Sequence, residues 1–374
     1  MSMKMAHQEI AHPGVLAIRP DIRALRAYRL PQAKPLPAEA LRLHQNEAAE
    51  DWPEAVKQEV VAEVLRSPWH QYPGMRAEDV CEAIGRLQGT PPAMVAPTAG
   101  SNDALRALFG ALAAGGTVVM PAPTYSMAKT LAVIAGARVV EVPLGPHFSL
   151  DPDALLFAAH AHRAEAIYLA CPNNPTGNAL AADAVGAVIA GAPGAVVLDE
   201  AYWEFASATW LDAVSRYPNL FLVRTFSKAM AGAGLRLGWV TAQEAVIAEL
   251  LKVVPPYSLN VFVQAAAPVL VAHRDIAAAR VQMVLRERVR VAAALTEMGL
   301  CTYPSDTNFL LFEPGAPPAA VWEGLADRGV LVRDVSASAR LAACLRVSIG
   351  SPAANDRFLE ALGAVLRSLR EDRR

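Results

Sequence analysis

The sequence predicts an α/β fold in which helices cover a mostly parallel sheet, followed by a smaller α+β domain. Short apolar runs alternate with longer Ala-rich segments of helical period, which is typical of strand–helix–strand units. This pattern changes after Pro255 and Pro256. The chain has 374 residues, of which 53% are hydrophobic and 19% charged, and is longer than one core usually organises.

The predicted strands of the larger domain lie in the middle of the chain. They are the apolar runs at 117–120, 139–142, 166–170, 195–198, 220–224 and 237–241. The second domain is predicted to contain a long helix at 276–298 and strands at 308–312, 330–333 and 345–349. We therefore expect a large domain at residues 46–257 and a small domain at 258–374.

The first 45 residues are predicted to form an arm. Pro31, Pro35 and Pro37 prevent a regular helix, because each proline lacks a backbone donor and clashes with the preceding turn. We expect this arm to pack on the small domain.

Charge and composition argue against several classes of partner. A formal net charge of −2 provides no electrostatic basis for binding nucleic acid or an anionic membrane. The N-terminal segment lacks the apolar core of a signal peptide, and the longest apolar stretches are short or interrupted, so we expect a cytoplasmic protein without a membrane span. The four cysteines form no Cys-x-x-Cys pair, and the His160–His162 pair is typical of a surface, so we expect no metal site.

Candidate site residues are expected just beyond the predicted strands, because ligands of open parallel sheets bind at the carboxyl ends of the strands. Asp199 directly follows an apolar run, where a carboxylate needs a hydrogen-bonded or cationic partner. A protonated ring nitrogen would be such a partner. A helix N-cap is the alternative for a single Asp at a strand end.

The next strand leads into a loop of small residues that contains Thr225, Ser227, Lys228 and Arg236. A lysine amine next to an arginine and a ligand phosphate can attack an aldehyde, since cationic neighbours and desolvation tune its pKa. A solvated lysine is the alternative. The glycines of this loop lead into a strand and not into a helix, so they are weak evidence for a dinucleotide site.

Gly100, Ser101 and Asn102 begin a strongly helical stretch. The free N–H groups at a helix N-terminus bind anions, although ordinary N-capping also explains such a sequence. Together with Ser227 and Arg236, these residues predict a cup for a phosphate group.

The turn PNNPTG follows another strand and contains Asn174; a plain tight turn is the alternative. Asn174 and Tyr202 can both hydrogen-bond a phenolate oxygen, and Tyr125 can lie against an aromatic ring. The four strand ends together therefore describe one ligand.

In chain order, the motifs GSND, PTY, PNNPTG, DEAY, TFSK and GLRLG resemble those of the fold-type I, class II aminotransferases, which use pyridoxal 5′-phosphate. Within that group the chain is most similar to the histidinol-phosphate aminotransferases. This closer similarity rests on Tyr28, the Asn46–Glu47 pair, Tyr72–Pro73, Arg333 and Arg346. The resemblance runs over most of the chain.

The resemblance implies a role for each matched residue around the cofactor. Lys228 would carry pyridoxal phosphate as a Schiff base, and Asp199 would keep the ring nitrogen protonated. Asn174 and Tyr202 would bind the ring hydroxyl, and Tyr125 would stack on the ring. The remaining cofactor-binding residues would be Gly100, Ser101, Asn102, Thr225, Ser227, Arg236 and, reaching across from the second subunit of a homodimer, Tyr72.

For the substrate, the resemblance implies that Arg346 binds a carboxylate, that Arg333 and Tyr28 grip a phosphate, and that Asn46 lies beside them. It implies amino transfer from histidinol phosphate to 2-oxoglutarate, giving imidazole acetol phosphate and glutamate in histidine biosynthesis. Three other functions stay open at this point. They are an aromatic amino acid aminotransferase, a threonine-phosphate decarboxylase-like enzyme and a non-catalytic cofactor-binding module.

Overall fold

The structure is a computed structural model that describes residues 18–25, 27 and 40–371. Its helices are α1 (Pro20–Ala24), α2 (Glu54–Arg66), α3 (Glu78–Gln88), α4 (Ser101–Leu112), α5 (Ser126–Ile134), α6 (Pro152–Ala161), α7 (Ala182–Gly191), α8 (Glu244–Leu250), α9 (Val261–Ala272), α10 (Arg274–Glu297), α11 (Pro318–Asp327) and α12 (Pro352–Glu371). Tyr28 and the three prolines of the predicted arm lie outside the described residues.

The strands form three sheets. They are β1 (Leu41–Arg42), β2 (Val95–Thr98), β3 (Thr117–Ala122), β4 (Arg138–Pro143), β5 (Ala166–Ala170), β6 (Ala195–Asp199), β7 (Leu220–Thr225), β8 (Gly238–Thr241), β9 (Cys301–Thr302), β10 (Phe309–Glu313), β11 (Val330–Leu331), β12 (Arg333–Asp334) and β13 (Leu345–Ser348). The largest sheet has seven strands in the order β2-β8-β7-β6-β5-β3-β4.

Most neighbours in this large sheet are parallel, and only β8 runs against its neighbours β7 and β2. Helices α4 and α5 cover one face, and α6 and α7 cover the other. Because both faces are covered, β5, β6 and β7 are buried along their whole length, which explains their continuous apolar sequences. The predicted α/β fold is confirmed.

The six strands predicted for this sheet are all present, with ends that differ by at most two residues. The sequence analysis missed β2, whose four residues include Pro97. A proline is tolerated there because β2 is an edge strand that pairs only with β8.

The topology brings the candidate residues to one edge of the sheet. Strands β2 and β7 are both antiparallel to β8, so β2 runs in the same direction as β3, β5, β6 and β7. Their carboxyl ends therefore lie together. The residues at or just beyond these ends are Gly100, Tyr125, Asn174, Asp199 and Lys228.

A smaller antiparallel sheet has the order β12-β13-β10-β9 and packs with α10, α11 and α12 around Phe309, Phe312 and Phe358. The strand predicted at 330–333 is in fact two short strands. The reason is that β11 pairs with β1, whereas β12 pairs with β13. The domain boundaries at residues 45 and 257 stay a prediction.

In the part of the chain that the structure describes, no single helix is long and apolar enough to cross a bilayer. Helices α9 and α10 reach the required length and hydropathy only as a pair, and they are bent by 72° relative to each other.

Candidate active site

One cavity of about 790 Å³ lies between the carboxyl edge of the large sheet and strands β12 and β13. It brings together most of the residues that the sequence singles out. These are Asn46, Ser101, Asn102, Tyr125, Asn174, Asp199, Tyr202, Thr225, Ser227, Lys228, Arg236, Arg333 and Arg346.

Lys228 stands in the loop after β7 with its amine inside the cavity. Its Nζ donates to the main-chain oxygens of Asn46, at 2.9 Å, and Gln45, at 3.2 Å. Burial lowers the pKa of Lys228 to about 7, and the charges of Arg346 and Arg236 act in the same direction. A substantial fraction of the amine is therefore neutral near pH 7, as a nucleophile or a base requires.

Asp199 is the last residue of β6 and is buried. The Tyr168 hydroxyl donates to Oδ2 at 3.0 Å, and the Ala201 N–H donates to Oδ1 at 3.1 Å. Burial raises the pKa of Asp199 to about 6, and both hydrogen bonds oppose that rise. A mostly ionised carboxylate is thus held in a buried place, where a cationic partner stabilises it.

A continuous hydrogen-bond chain connects the two sheets through the cavity. The Tyr202 hydroxyl accepts from the amides of Asn46, at 2.9 Å, and Asn174, at 3.2 Å. Arg346 Nη1 donates to Asn174 Oδ1 at 2.6 Å. Since Lys228 donates to the carbonyl of Asn46, the chain runs from Arg346 to Lys228 and fixes the side chains between them.

Hydroxyl groups and a guanidinium converge in the loop after β7. Thr225 Oγ1 lies 2.9 Å from Ser227 Oγ and also receives the Ser227 N–H at 3.1 Å. Arg236 Nη1 lies 3.4 Å from Ser227 Oγ and donates to the Ala233 carbonyl at 3.0 Å. This donor set suits a phosphate monoester.

The start of α4 faces the same donors. Gly100 has φ +92°, and a Cβ at this position would lie 2.5 Å from Arg236 Nη2. Only glycine therefore lets the guanidinium reach the helix N-terminus. Within the described part of the chain, no side chain caps the first turn of α4, and the N–H groups of Asp103 and Ala104 donate to the Gly100 carbonyl, which leaves those of Ser101 and Asn102 for an anion. The Tyr125 hydroxyl donates to Asn102 Oδ1 at 3.0 Å.

Two arginines form the opposite wall of the cavity. Arg333 on β12 and Arg346 on β13 are direct partners in the antiparallel register, and both line the cavity. Arg346 Nη2 also donates to the carbonyl of His44 at 3.1 Å. The cavity therefore has two cationic regions, this pair and Arg236, with Lys228 lining the space they share.

Among the described residues, the predicted site residues Gly100 and Tyr72 do not line the cavity. Tyr72 is 81% exposed and stacks on Tyr257 with 4.7 Å between ring centroids. Tyr28 lies outside the described residues.

The sequence analysis gave no role to Tyr168, which donates to Asp199, or to His44. Tyr168 could have been found, because a tyrosine in the middle of an apolar, fully buried strand needs an acceptor for its hydroxyl. His44 lines the cavity, yet only the pairing of neighbouring strands brings it there.

These residues fit pyridoxal phosphate. A side chain at position 100 would fill the anion cup, which Gly100 leaves open. The buried carboxylate of Asp199 suits a protonated ring nitrogen, and the amine of Lys228 suits an aldehyde. Asn174 and Tyr202 present hydrogen-bonding groups for a phenolic oxygen.

Comparisons with known proteins agree with this assignment. The family profile described as "Aminotransferase class I and II" matches residues 38–362. The histidinol-phosphate aminotransferase of Thermococcus kodakarensis is 37% identical over 345 residues, covering 92% of this chain and 97% of that protein. That of Chlorobaculum tepidum is 37% identical over 325 residues, covering 86% and 93%.

Among solved structures, the histidinol-phosphate aminotransferase of Sinorhizobium meliloti in complex with pyridoxal 5′-phosphate superimposes with a TM-score of 0.84. The two sequences are 27% identical, and the match covers 96% of this chain and 99% of that one. The chain therefore belongs to the class I and II aminotransferases and is a pyridoxal-phosphate-dependent transaminase.

Proposed function

We propose that the enzyme transfers the amino group of histidinol phosphate to 2-oxoglutarate, giving imidazole acetol phosphate and glutamate in histidine biosynthesis. The observation that carries this proposal is the pairing of Arg333 and Arg346 on facing strands, in the cavity that contains Lys228. Two guanidinium groups side by side suit a phosphate or a carboxylate, since each can donate two parallel hydrogen bonds. The curated relatives named above support the same substrate.

In this proposal each cofactor group has a protein partner. Bound pyridoxal phosphate supplies an electron-accepting ring that stabilises negative charge at the substrate Cα. Lys228 holds its aldehyde carbon, Asp199 its ring nitrogen, and Tyr125 a face of its ring. The phenolic oxygen is held by Asn174 and Tyr202, and the phosphate by the N-terminus of α4 with Ser101, Asn102, Thr225, Ser227 and Arg236.

Lys228 moves the proton. Burial lowers the pKa of Lys228 to about 7, so its Nζ can accept the Cα proton of the substrate and release it again near neutral pH. Asp199 stays ionised beside Tyr168 and keeps a cationic partner in place. Arg346 is oriented for the substrate by Asn174 and by the carbonyl of His44.

The test is a half-reaction on the holoenzyme. Histidinol phosphate, phenylalanine and phosphothreonine are added separately while the cofactor absorbance and the 2-oxo product are followed. We expect conversion by histidinol phosphate at far lower concentration than by phenylalanine. Preference for phenylalanine would identify an aromatic aminotransferase, and release of carbon dioxide from phosphothreonine would identify a decarboxylase.

Variants sharpen this test. Arg333→Lys keeps the charge but loses the planar fork, so KM for histidinol phosphate should rise about 10-fold or more, with little change for phenylalanine. Arg340→Lys is the matched control, because Arg340 is exposed and donates to the carbonyl of Gly145. Equal effects of Arg333→Lys on both substrates would contradict the phosphate role.

We further propose that the enzyme acts as a cytoplasmic homodimer in which Tyr72 completes the site of the partner subunit. Tyr72 lies outside the cavity of its own chain and is exposed, and a second copy of the chain would cover it. Other exposed apolar side chains from the same stretches of the chain include Leu65, Trp69, Met75, Tyr257 and Phe262, and Tyr72 stacks on Tyr257.

A further inference from the structure

His44 lines the cavity together with Arg333 and Arg346, and the proposed function gives it no role. The main chain before His44 is held between two strands. The Leu43 carbonyl accepts from the Ser348 N–H, and the Leu43 N–H donates to the Leu331 carbonyl, both at 2.9 Å. The His44 carbonyl accepts from Arg346 Nη2. The ring is thereby held at the cavity wall.

The ring is neutral at physiological pH. Burial lowers the pKa of His44 to about 4, and the charges of Arg42, Arg333 and Arg346 act in the same direction. A neutral imidazole carries one N–H, on either Nδ1 or Nε2.

The surroundings decide which nitrogen carries this proton. Nδ1 of His44 is buried and has no hydrogen-bond partner among the described residues. A buried N–H without an acceptor is rarer in proteins than a buried lone pair without a donor. The proton therefore belongs on Nε2, and this N–H is the group that the ring can offer to a ligand.

We propose that His44 is a specificity-determining residue whose Nε2–H donates a hydrogen bond to the phosphate of the amino substrate, beside Arg333 and Arg346. This inference rests on the proposed function, since it names a further group at the same anionic end of the substrate. A neutral donor adds direction to the contact without adding a third positive charge next to two guanidinium groups. It thus favours an anion whose oxygens project in three directions, as those of a phosphate monoester do, over a planar carboxylate.

The experiment compares three substitutions that differ in where they place a donor. His44→Gln puts an amide N–H near the position of Nε2, whereas His44→Asn puts it near the buried Nδ1. His44→Leu removes the donor and keeps much of the volume. Each holoenzyme is assayed for kcat and KM with histidinol phosphate, and for inhibition of the glutamate half-reaction by inorganic phosphate.

We expect the wild type and His44→Gln to bind inorganic phosphate within about threefold of each other. His44→Asn and His44→Leu should bind it about tenfold more weakly, the effect of one lost hydrogen bond to a charged group, with kcat changed far less than KM. The same order should appear in KM for histidinol phosphate.

Equal phosphate affinity in all four proteins, or equal loss in His44→Gln and His44→Asn, would overturn the inference, as would a wild type that phosphate does not inhibit. If the wild type fails to convert histidinol phosphate while phosphate inhibition keeps the expected order, the proposed substrate is wrong and the anion contact of His44 stands. Should His44→Asn and His44→Leu fail to fold, ¹⁵N-histidine NMR of the wild type decides. Phosphate must shift the resonance that is absent from His44→Gln, and an unchanged resonance would refute the contact.

Discussion

At the scale of single residues, burial sets the protonation of Asp199 and Lys228, the two central groups of the candidate site. Asp199 stays ionised in the core because Tyr168 and the Ala201 N–H donate to its two oxygens. The amine of Lys228 is partly uncharged near pH 7, because burial and nearby arginines lower its pKa to about 7. The two groups are tuned in opposite directions by one desolvated cavity, since burial disfavours each charged form.

Tyr168→Phe should move the acidic limb of the kcat/KM profile to higher pH. The substitution removes a hydrogen bond to Asp199 that lowers the pKa of its carboxyl, so the carboxylate takes up a proton at higher pH, by about one pH unit. As the pH falls, the variant therefore loses activity at a higher pH than the wild type does. Tyr303→Phe is the control, because Tyr303 donates to Glu313 outside the cavity. Coincident profiles for wild type and Tyr168→Phe would contradict the role of Tyr168.

Glu204 should make stability depend on pH. Both of its carboxylate oxygens are buried without a hydrogen-bond partner among the described residues, and burial raises its pKa to about 8. Between its ordinary pKa and 8 the folded state binds a proton that the unfolded state has released. Stability therefore falls as pH rises through this window, by up to about 1.4 kcal/mol per pH unit.

Chemical unfolding of Glu204→Gln from pH 5 to pH 8 checks this, because glutamine cannot ionise and should flatten the dependence. Glu360→Gln, at an exposed position on α12, should leave the slope of the wild type intact. A Glu204→Gln slope as steep as that of the wild type would show that another group is responsible.

At the scale of elements, the start of α4 depends on a glycine where the chain approaches Arg236. Gly100→Ala would place a methyl group 2.5 Å from Arg236 Nη2 at a residue with φ +92°. We expect a loss of about 1–3 kcal/mol in stability and at least a tenfold weaker retention of cofactor phosphate.

Gly110→Ala is the matched control on the same helix, because nothing lies within 4 Å of its added Cβ. Alanine there should stabilise the protein by about 0.5–1 kcal/mol, since it removes the entropic cost of glycine in a helix. Thermal melts and cofactor titrations of the two variants measure the difference. Similar behaviour of both variants would refute a special role for Gly100.

At the scale of the whole molecule, the exposed position of Tyr72 predicts complementation between subunits. Lys228→Ala and Tyr72→Ala homodimers should each be strongly impaired. If Tyr72 serves the partner's site, a mixed dimer has one site with both substitutions and one intact site. Unfolding and refolding an equal mixture should restore about a quarter of the wild-type sites, because half of the dimers are mixed.

The measurement is transaminase activity before and after mixing, with sedimentation to establish the dimer. Mixing Lys228→Ala with Asp199→Ala is the matched control, because both residues line the cavity of one chain. For that pair, both residues belong to one chain, so each site of the mixed dimer carries one defect and no activity should return. Recovery in this control, or none with Tyr72→Ala, would place Tyr72 outside the partner's site.

The expected results are thus recovery for the Lys228→Ala and Tyr72→Ala pair and no recovery for the Lys228→Ala and Asp199→Ala pair. This difference follows from the position of Tyr72, which is the only one of the three residues that lies outside the cavity of its own described chain.

Much of the fold was predictable because its strands are buried on both faces and therefore read as unbroken apolar runs. The edge strand β2 and the division of 330–333 into two strands were not predictable, since both depend on which neighbour each segment pairs with. The grouping of most candidate site residues in one cavity was predictable for a related reason. These residues follow strand ends, and parallel strands bring their carboxyl ends to one edge.

The sequence by itself determined the fold class and the cofactor, and it singled out Lys228 as the candidate reactive lysine, because local patterns carry this information: apolar runs, strand-end motifs and the loop that contains Lys228. Only the tertiary structure decided which distant groups meet. It brought Tyr168 to Asp199, the carbonyl of Asn46 to Lys228, and His44 to the arginine pair. The physical reason is that pKa values and hydrogen-bond partners depend on burial and on neighbours from other strands, which local sequence does not specify.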